Sequence, residues 1–283
     1  YDPILSGNET QSCATCHQQS RAFSDNKRFS VGIDGIAGKL NASAIINPGW
    51  QSSAFWNGRA NSLEDQAVEP VQNPIELHLS WEDAVKRLKG HDDYPGEFKI
   101  AFGTTSISKD LVAKALAQFE RSLISNQSKF DKFVNGEIEL TPLELAGYNL
   151  FLSEKAECFH CHVRPLFTDD ELHNNGLDIN PDKGHFEVSS YIHDKGKFRT
   201  PTLRNVEFTA PYMHDGRFET LEEVIGFYSD SIKTSTTVDP LMPNDNGGFH
   251  WTELEKLQLI SFLKTLSDTS FINDPDFSNP FVE

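Results

Sequence analysis

Cys13-Ala14-Thr15-Cys16-His17 recurs downstream as Cys158-Phe159-His160-Cys161-His162, and the two copies use all four cysteines of the chain. In a C-x-x-C-H segment the two thiols can add to the vinyl groups of one haem, while the histidine on the same turn reaches the iron from one side. Two covalently bound haems c are therefore expected, one on Cys13, Cys16 and His17 and one on Cys158, Cys161 and His162. A C-x-x-C pair also occurs as a redox dithiol or as half of a zinc site. The first wants a βαβ setting and the second a matching pair nearby, and the sequence offers neither.

A chain of 283 residues suffices for one large or two modest domains. The duplicated motif favours two related haem domains, residues 1–135 and 136–283. Hydrophobic residues make up 37% of the chain, and 21 of them are Phe. That is a thin aliphatic core, which the apolar faces of two haems would complete. The formal charge of −17 argues against nucleic acid, whose binding needs clustered Lys and Arg, and suits a basic redox partner. No stretch reaches the roughly 18 consecutive apolar residues of a membrane span. The sequence opens at Tyr1-Asp2-Pro3 without an initiator Met or a signal peptide. Because c-type haem is attached outside the bacterial cytoplasm, a mature periplasmic protein is expected.

Along the chain, residues 1–30 read as polar loop around the first motif, and residues 31–49 as irregular cover rich in turn formers. A short helix is expected from Asn61 or Ser62, stopped by Pro70 and Pro74. Ser80 caps a helix with Ala84, Val85 and Leu88 on one face, and Ser108 one with Val112, Ala115, Leu116, Phe119 and Leu123. The polar segment from Asn126 to Glu139 reads as the domain junction. Thr141-Pro142-Leu143-Glu144 is a capping box leading into the second motif, and residues 162–200 read as a long loop. Two further capping boxes, Thr220 to Glu223 and Thr252 to Glu255, open the last helices, the second carrying Leu257, Ile260, Leu263 and Leu266. Strand signals are few, so the fold class is mainly α with long irregular loops.

Several ordered segments carry a resemblance. They are the two haem motifs, Phe55-Trp56-Asn57-Gly58-Arg59-Ala60, Leu63-Glu64-Asp65-Gln66-Ala67 followed by Pro70 and Glu76, Thr200-Pro201-Thr202-Leu203-Arg204-Asn205-Val206, Thr209-Ala210-Pro211-Tyr212-Met213-His214-Asp215-Gly216 and Leu221-Glu222-Glu223-Val224. Over essentially its whole length the chain resembles the bacterial di-haem cytochrome c peroxidases and their MauG branch. That family usually begins a few residues earlier, so a trimmed N-terminus is expected.

The resemblance implies a division of labour. The haem on His17 would meet hydrogen peroxide, and the haem on His162 would store and relay an electron through Trp56 between them. Ordinary core packing is the plain alternative for that indole. The family's pocket carboxylate falls on Glu76, with Gln66 as its neighbour. Breaking the O–O bond heterolytically requires taking a proton from one oxygen and giving it to the other, which a shielded carboxylate of raised pKa can do. An amide can orient peroxide without titrating. Read alone, Glu76 would be a surface residue.

Two departures separate the chain from the better-known peroxidases. Where many members place a histidine that closes the oxidised peroxidatic haem, this chain has Ile33, and no histidine occurs between His17 and His78. The site is therefore expected to be open without reductive activation, with His78 a surface or supporting residue. The family's axial methionine position falls on Tyr228, as in MauG, and Met242 is the alternative sixth ligand. The resemblance also implies a structural calcium on Asn41 and the backbone oxygens of Thr209 and Pro211, a homodimer, and a small cytochrome c or cupredoxin donor. A MauG-like enzyme would instead oxidise a partner protein, and a di-haem electron-transfer cytochrome without enzymatic activity is the third reading.

Overall fold

Short polar caps set most of the helix starts. In the computed structural model, which describes residues 1–243 and 246–281, Ser62, Ser80 and Ser108 accept hydrogen bonds from the N–H groups three residues on. They open α1 (Leu63–Gln72), α2 (Trp81–Gly90) and, after α3 (Tyr94–Phe102), α4 (Lys109–Ser122). Full capping boxes at Ser128, Thr141, Thr220 and Thr252 open α5 (Lys129–Val134), α6 (Pro142–Phe151) and, beyond the loops, α9 and α10. Between them lie α7 (Cys158–Cys161), β1 (Leu172–His173), α8 (Phe186–Ser189) and β2 (Phe198–Arg199). The chain then forms α9 (Leu221–Asp230), α10 (Glu253–Lys264) and α11 (Thr269–Asn273). The fold is mainly α, as expected. The two short strands pair antiparallel, Leu172 against Arg199 and His173 against Phe198.

Three local expectations need correction. Helix α1 runs past Pro70 to Gln72, because a proline removes one backbone bond while the buried Ala67 and Val71 keep the helix seated against α4. The buried stripe of α4 is Val112, Ala113 and Ala117; Ala115 and Phe119 lie outside it, Phe119 meeting the edge of Phe277. Leu257 is 51% exposed, and Leu259, Ile260, Phe262 and Leu263 form the inner face of α10. Val112 and Leu123, like Ile260, Leu263 and Leu266, are buried as expected; at the edge of each stripe period counting took an apolar residue that packing leaves outside.

Helices α6 and α10 pack back to back, so closely that a Cβ on Gly147 would lie 1.9 Å from the carbonyl oxygen of Gln258. Around them Phe130, Phe151, Phe167 and Phe262 form an aromatic core. Phe130 belongs to α5, so the segment expected to be a polar junction contributes a buried ring. A second core gathers Leu5, Val71, Leu77, Leu79, Ala84 and Leu88 around α1 and α2. A third joins Phe23, Ile46 and Leu123 to Phe271 of α11, where the C-terminal segment returns to the first haem motif. No helix among the described residues is long and apolar enough to cross a membrane.

A buried polar knot holds these parts in register. Asp268 Oδ2 accepts from the N–H groups of Asn126 and Gln127 and from Ser125 Oγ, while Oδ1 accepts from the N–H groups of Ser270 and Phe271. Asn205 Nδ2 donates to Ser125 Oγ, and Asn47 exchanges two bonds with the Ser125 backbone. Burial alone would raise the Asp268 pKa, but the donors around it outweigh that and hold it below the ordinary range. Asp268→Ala strands several buried donors and is expected to cost about 3 kcal/mol or more, read as a lower urea midpoint at unchanged m value. Because the folded pKa is depressed, this contribution is present above the unfolded value of roughly 3.9 and fades as pH falls below it.

Candidate active site

The two C-x-x-C-H segments fold into the same mount. In each, the histidine N–H donates to the carbonyl of the first cysteine at 2.9 Å, closing one helical turn. The His17 Nδ1 lies 2.9 Å from the carbonyl oxygen of Phe23, and the His162 Nδ1 lies 3.0 Å from that of Phe167. A carbonyl only accepts, so Nδ1 carries the proton and Nε2 keeps its lone pair for a metal. Burial lowers the pKa of both imidazoles, opposed by the carbonyl bond and by Asp25 at His17 and Asp169 at His162. Burial also keeps the thiols protonated: it raises Cys13 and Cys16 and pushes Cys158 and Cys161 up to about 12. A neutral imidazole with a committed Nδ1–H beside two unpaired thiols is the donor set that covalent haem requires.

The carbonyls that aim the histidines come from residues the sequence reading passed over. Phe23 and Phe167 both adopt left-handed backbone conformations, with φ of 58° and 55°. Such a conformation is costly for a bulky residue and persists where packing over-determines it. Phe23 meets the edges of Phe271 and Phe277, and Phe167 is ringed by Phe130, Phe151 and Phe262. The signal was present as a second repeat, Phe23-Ser24-Asp25 against Phe167-Thr168-Asp169.

Near the first motif the structure places Glu76. Its charge bears on both Cys13 and Cys16, and burial raises its own pKa, opposed by a hydrogen bond from Asn73 Nδ2 at 2.8 Å and by Arg59. Gln66 is half-buried on the α1 stripe that also carries Glu69 and Asn73, and among the described residues no hydrogen bond joins it to Glu76. Asn73 is the amide that touches the carboxylate. Ile33 sits in a tight loop whose N–H donates to the Glu76 carbonyl at 3.0 Å. A Cβ on Gly32 would lie 2.2 Å from the Ile75 carbonyl oxygen, so glycine is what lets this loop lie against residues 75–76. His78 points elsewhere: it is exposed, with Nδ1 2.6 Å from Asp34 Oδ2.

The second motif opens on a large apolar cavity lined by His162, Phe151, Trp251, Leu259 and Leu263. Tyr228 and Met242 both face it, together with Met213. Asn175 Nδ2 donates to the Tyr228 hydroxyl oxygen at 3.1 Å, a bond that works against the rise to about 12 that burial imposes on that phenol. Trp56 lines the same cavity, its Nε1 donating to the Asn41 carbonyl at 2.8 Å and its ring set edge-on to His214. Asn41, Thr209 and Pro211 line it too. The Asn41 side chain donates to the carbonyls of Lys27 and Arg28, leaving its oxygen as the acceptor.

Beside Cys161 lies His173, which with Asp169 forms a group compact enough for a cation. Both ring nitrogens are already committed, however, to Asp169 at 2.8 Å and Asp239 at 2.6 Å. The Asp169 hydrogen bond leads in raising its pKa to about 9, so the ring is an imidazolium clamping the 231–243 loop.

The sequence model of the family described as di-haem cytochrome c peroxidase matches residues 1–139. Cytochrome c551 peroxidase of Nitrosomonas europaea is 34% identical over 288 aligned residues, covering 100% of this chain and 80% of that protein. The methylamine utilization protein MauG of Methylorubrum extorquens is 35% identical, covering 94% and 75%. Among solved structures, a MauG-like protein associated with microbial copper homeostasis superposes with a TM-score of 0.90 at 37% identity, covering 100% of this chain and 91% of that one. The di-haem peroxidase BthA of Burkholderia thailandensis shares the fold at 22% identity, with a TM-score of 0.84 and coverage of 96% and 84%.

The His173 clamp makes the 231–243 loop sensitive to base. A raised folded pKa means its stabilisation is complete below the unfolded value of roughly 6.5 and is lost as pH rises through about 9. Hydrogen exchange at the Asp239 N–H, which donates to the Asn174 carbonyl, is expected to accelerate over that window beyond the intrinsic rate. His173→Gln should show the faster exchange already at neutral pH.

Proposed function

Because the chain belongs to the di-haem cytochrome c peroxidase family, we propose that it is a periplasmic c-type peroxidase reducing hydrogen peroxide to water. Each turnover takes two electrons and two protons and yields two waters. Cys13, Cys16 and His17 would hold one haem, and Cys158, Cys161 and His162 the other. When bound, these groups supply the redox iron at which the peroxide bond breaks and a second one-electron store.

The observation that carries this reading is the half-buried Glu76 beside the first motif, whose pKa burial raises. Such a group takes the proton from one peroxide oxygen and returns it to the other. Asn73 fixes the carboxylate's direction, and Gln66 is the amide available to orient peroxide. The Ile33 loop packs apolar surface where a titrating ligand would close the site. Trp56 bridges the two halves: its N–H is held by a backbone carbonyl, which cannot take a proton, so the indole passes an electron while keeping its hydrogen. A small cytochrome c or cupredoxin is the proposed donor. Asn41 with the carbonyls of Thr209 and Pro211 is the proposed calcium site, in keeping with the oxygen ligands a hard cation takes, and a homodimer is the proposed assembly.

A second reading rests on Tyr228, whose oxygen Asn175 holds toward the cavity. A tyrosinate ligand lowers a haem potential relative to methionine and favours higher oxidation states. That suits an enzyme of the MauG kind that uses peroxide to oxidise residues of a partner protein.

Stopped-flow mixing of the oxidised, haem-loaded protein with peroxide tests the first reading. Glu76→Gln is expected to slow the reaction by roughly 10²- to 10⁴-fold at unchanged haem content, whereas an electron-transfer cytochrome would show no effect. Asn73→Leu removes a bond that favours the charged carboxylate and is expected to move the acidic limb of the pH–rate profile to higher pH. For the second haem, Tyr228→Phe is expected to change the low-spin EPR signal and Met242→Leu to leave it unaltered. The opposite pattern would make Met242 the ligand.

A further inference from the structure

The geometry points to Arg199 as the anchor for a carboxylate of the second haem, resting on the reading that this haem is attached at Cys158 and Cys161. Arg199 is a β2 residue, 7% exposed, and lines the cavity of His162. Its Nη1 donates to Asp170 Oδ1 at 3.0 Å, but its Nε is buried and has no hydrogen-bond partner among the described residues. A buried, permanently charged guanidinium with an unmet donor is costly, so an orphan of this kind marks a missing acceptor. The side of the fork formed by Nε and Nη2 is the one that a carboxylate meets through two parallel bonds.

The protein's own nearby acids are engaged elsewhere. Asp170 gives its other oxygen to the Ser52 N–H, Asp169 and Asp239 hold His173, and Asp182 reaches His214. Haem brings two carboxylates of its own into the cavity, and Arg199 offers the fork to receive one. Arg199 also donates its backbone N–H to the Trp56 carbonyl at 2.8 Å. One residue then fixes the haem edge and the tryptophan backbone together, which makes it a positioning residue for transfer between them.

The test uses the haem-loaded protein with Arg199→Gln, Arg199→Lys and Asp170→Asn. Haem is counted per chain, the potential of the low-spin haem is titrated, and its propionate-bending band is followed by resonance Raman. Arg199→Gln is expected to shift that band and to lower the potential, since an uncompensated carboxylate favours the ferric state. Arg199→Lys keeps the charge without the fork and should still shift the band while recovering part of the potential. Asp170→Asn, which removes the ion pair but leaves Arg199, should leave the band in place. If Arg199→Gln fails to retain two haems, the Lys variant decides. An unmoved band in an Arg199 variant that retains two haems overturns the proposal while the haem reading stands. A wild-type chain without haem at Cys158 and Cys161 overturns both.

Discussion

The rest of the structure depends on one hydrogen bond made twice, from a histidine Nδ1–H to the carbonyl of a phenylalanine held in the left-handed region. That bond decides which nitrogen faces the cofactor and how rigidly. The backbone conformation that supplies the carbonyl is unfavourable for a bulky residue, so each mount needs aromatic packing around its Phe to stay in place. The clusters around Phe23 and Phe167 meet that need with other rings of an unusually Phe-rich chain. The aromatic content thus serves the histidines as well as filling a core with few aliphatic residues.

The two mounts are alike, and what covers them is not. Over the first lie a carboxylate of raised pKa, an amide that aims it, and a loop whose Gly32 lets Ile33 sit against the Glu76 backbone. Over the second lie a buried phenol and two thioethers in an apolar cavity. The difference is chemical: a carboxyl group of raised pKa lies near the first histidine, and a phenol and two thioethers line the cavity of the second. Trp56 sits where the halves meet, tied to Asn41 on one side and to Arg199 on the other. The Asp268 knot and the returning C-terminal segment keep those halves in register.

Much of this was legible in the sequence, for identifiable reasons. The haem motifs, the capping boxes and the helix starts they imply are local signals, and local chemistry decided them. The inner faces of α4 and α10 were read correctly at Val112, Leu123, Ile260, Leu263 and Leu266 and wrongly at their edges, because Phe119 and Leu257 fit the helical period while tertiary packing turned their neighbours inward. Helix α5 was hidden in a polar stretch because it has only six residues and its one buried ring, Phe130, carries no period. Asn73, Asn175 and Arg199 could not be singled out, since their importance lies in which distant atom each one meets. Phe23 and Phe167 were readable in principle from the repeated Phe-Ser/Thr-Asp, but left-handed phenylalanines run against every conformational preference.

EPR of the fully oxidised, haem-loaded protein tests most directly whether two equal mounts carry two different sites. One high-spin ferric signal from an open site at His17 and one low-spin signal from a six-coordinate site at His162 are expected. Two low-spin signals would contradict this, since they would mean that a protein ligand closes the site beside Glu76 and that Ile33 does not mark it as open.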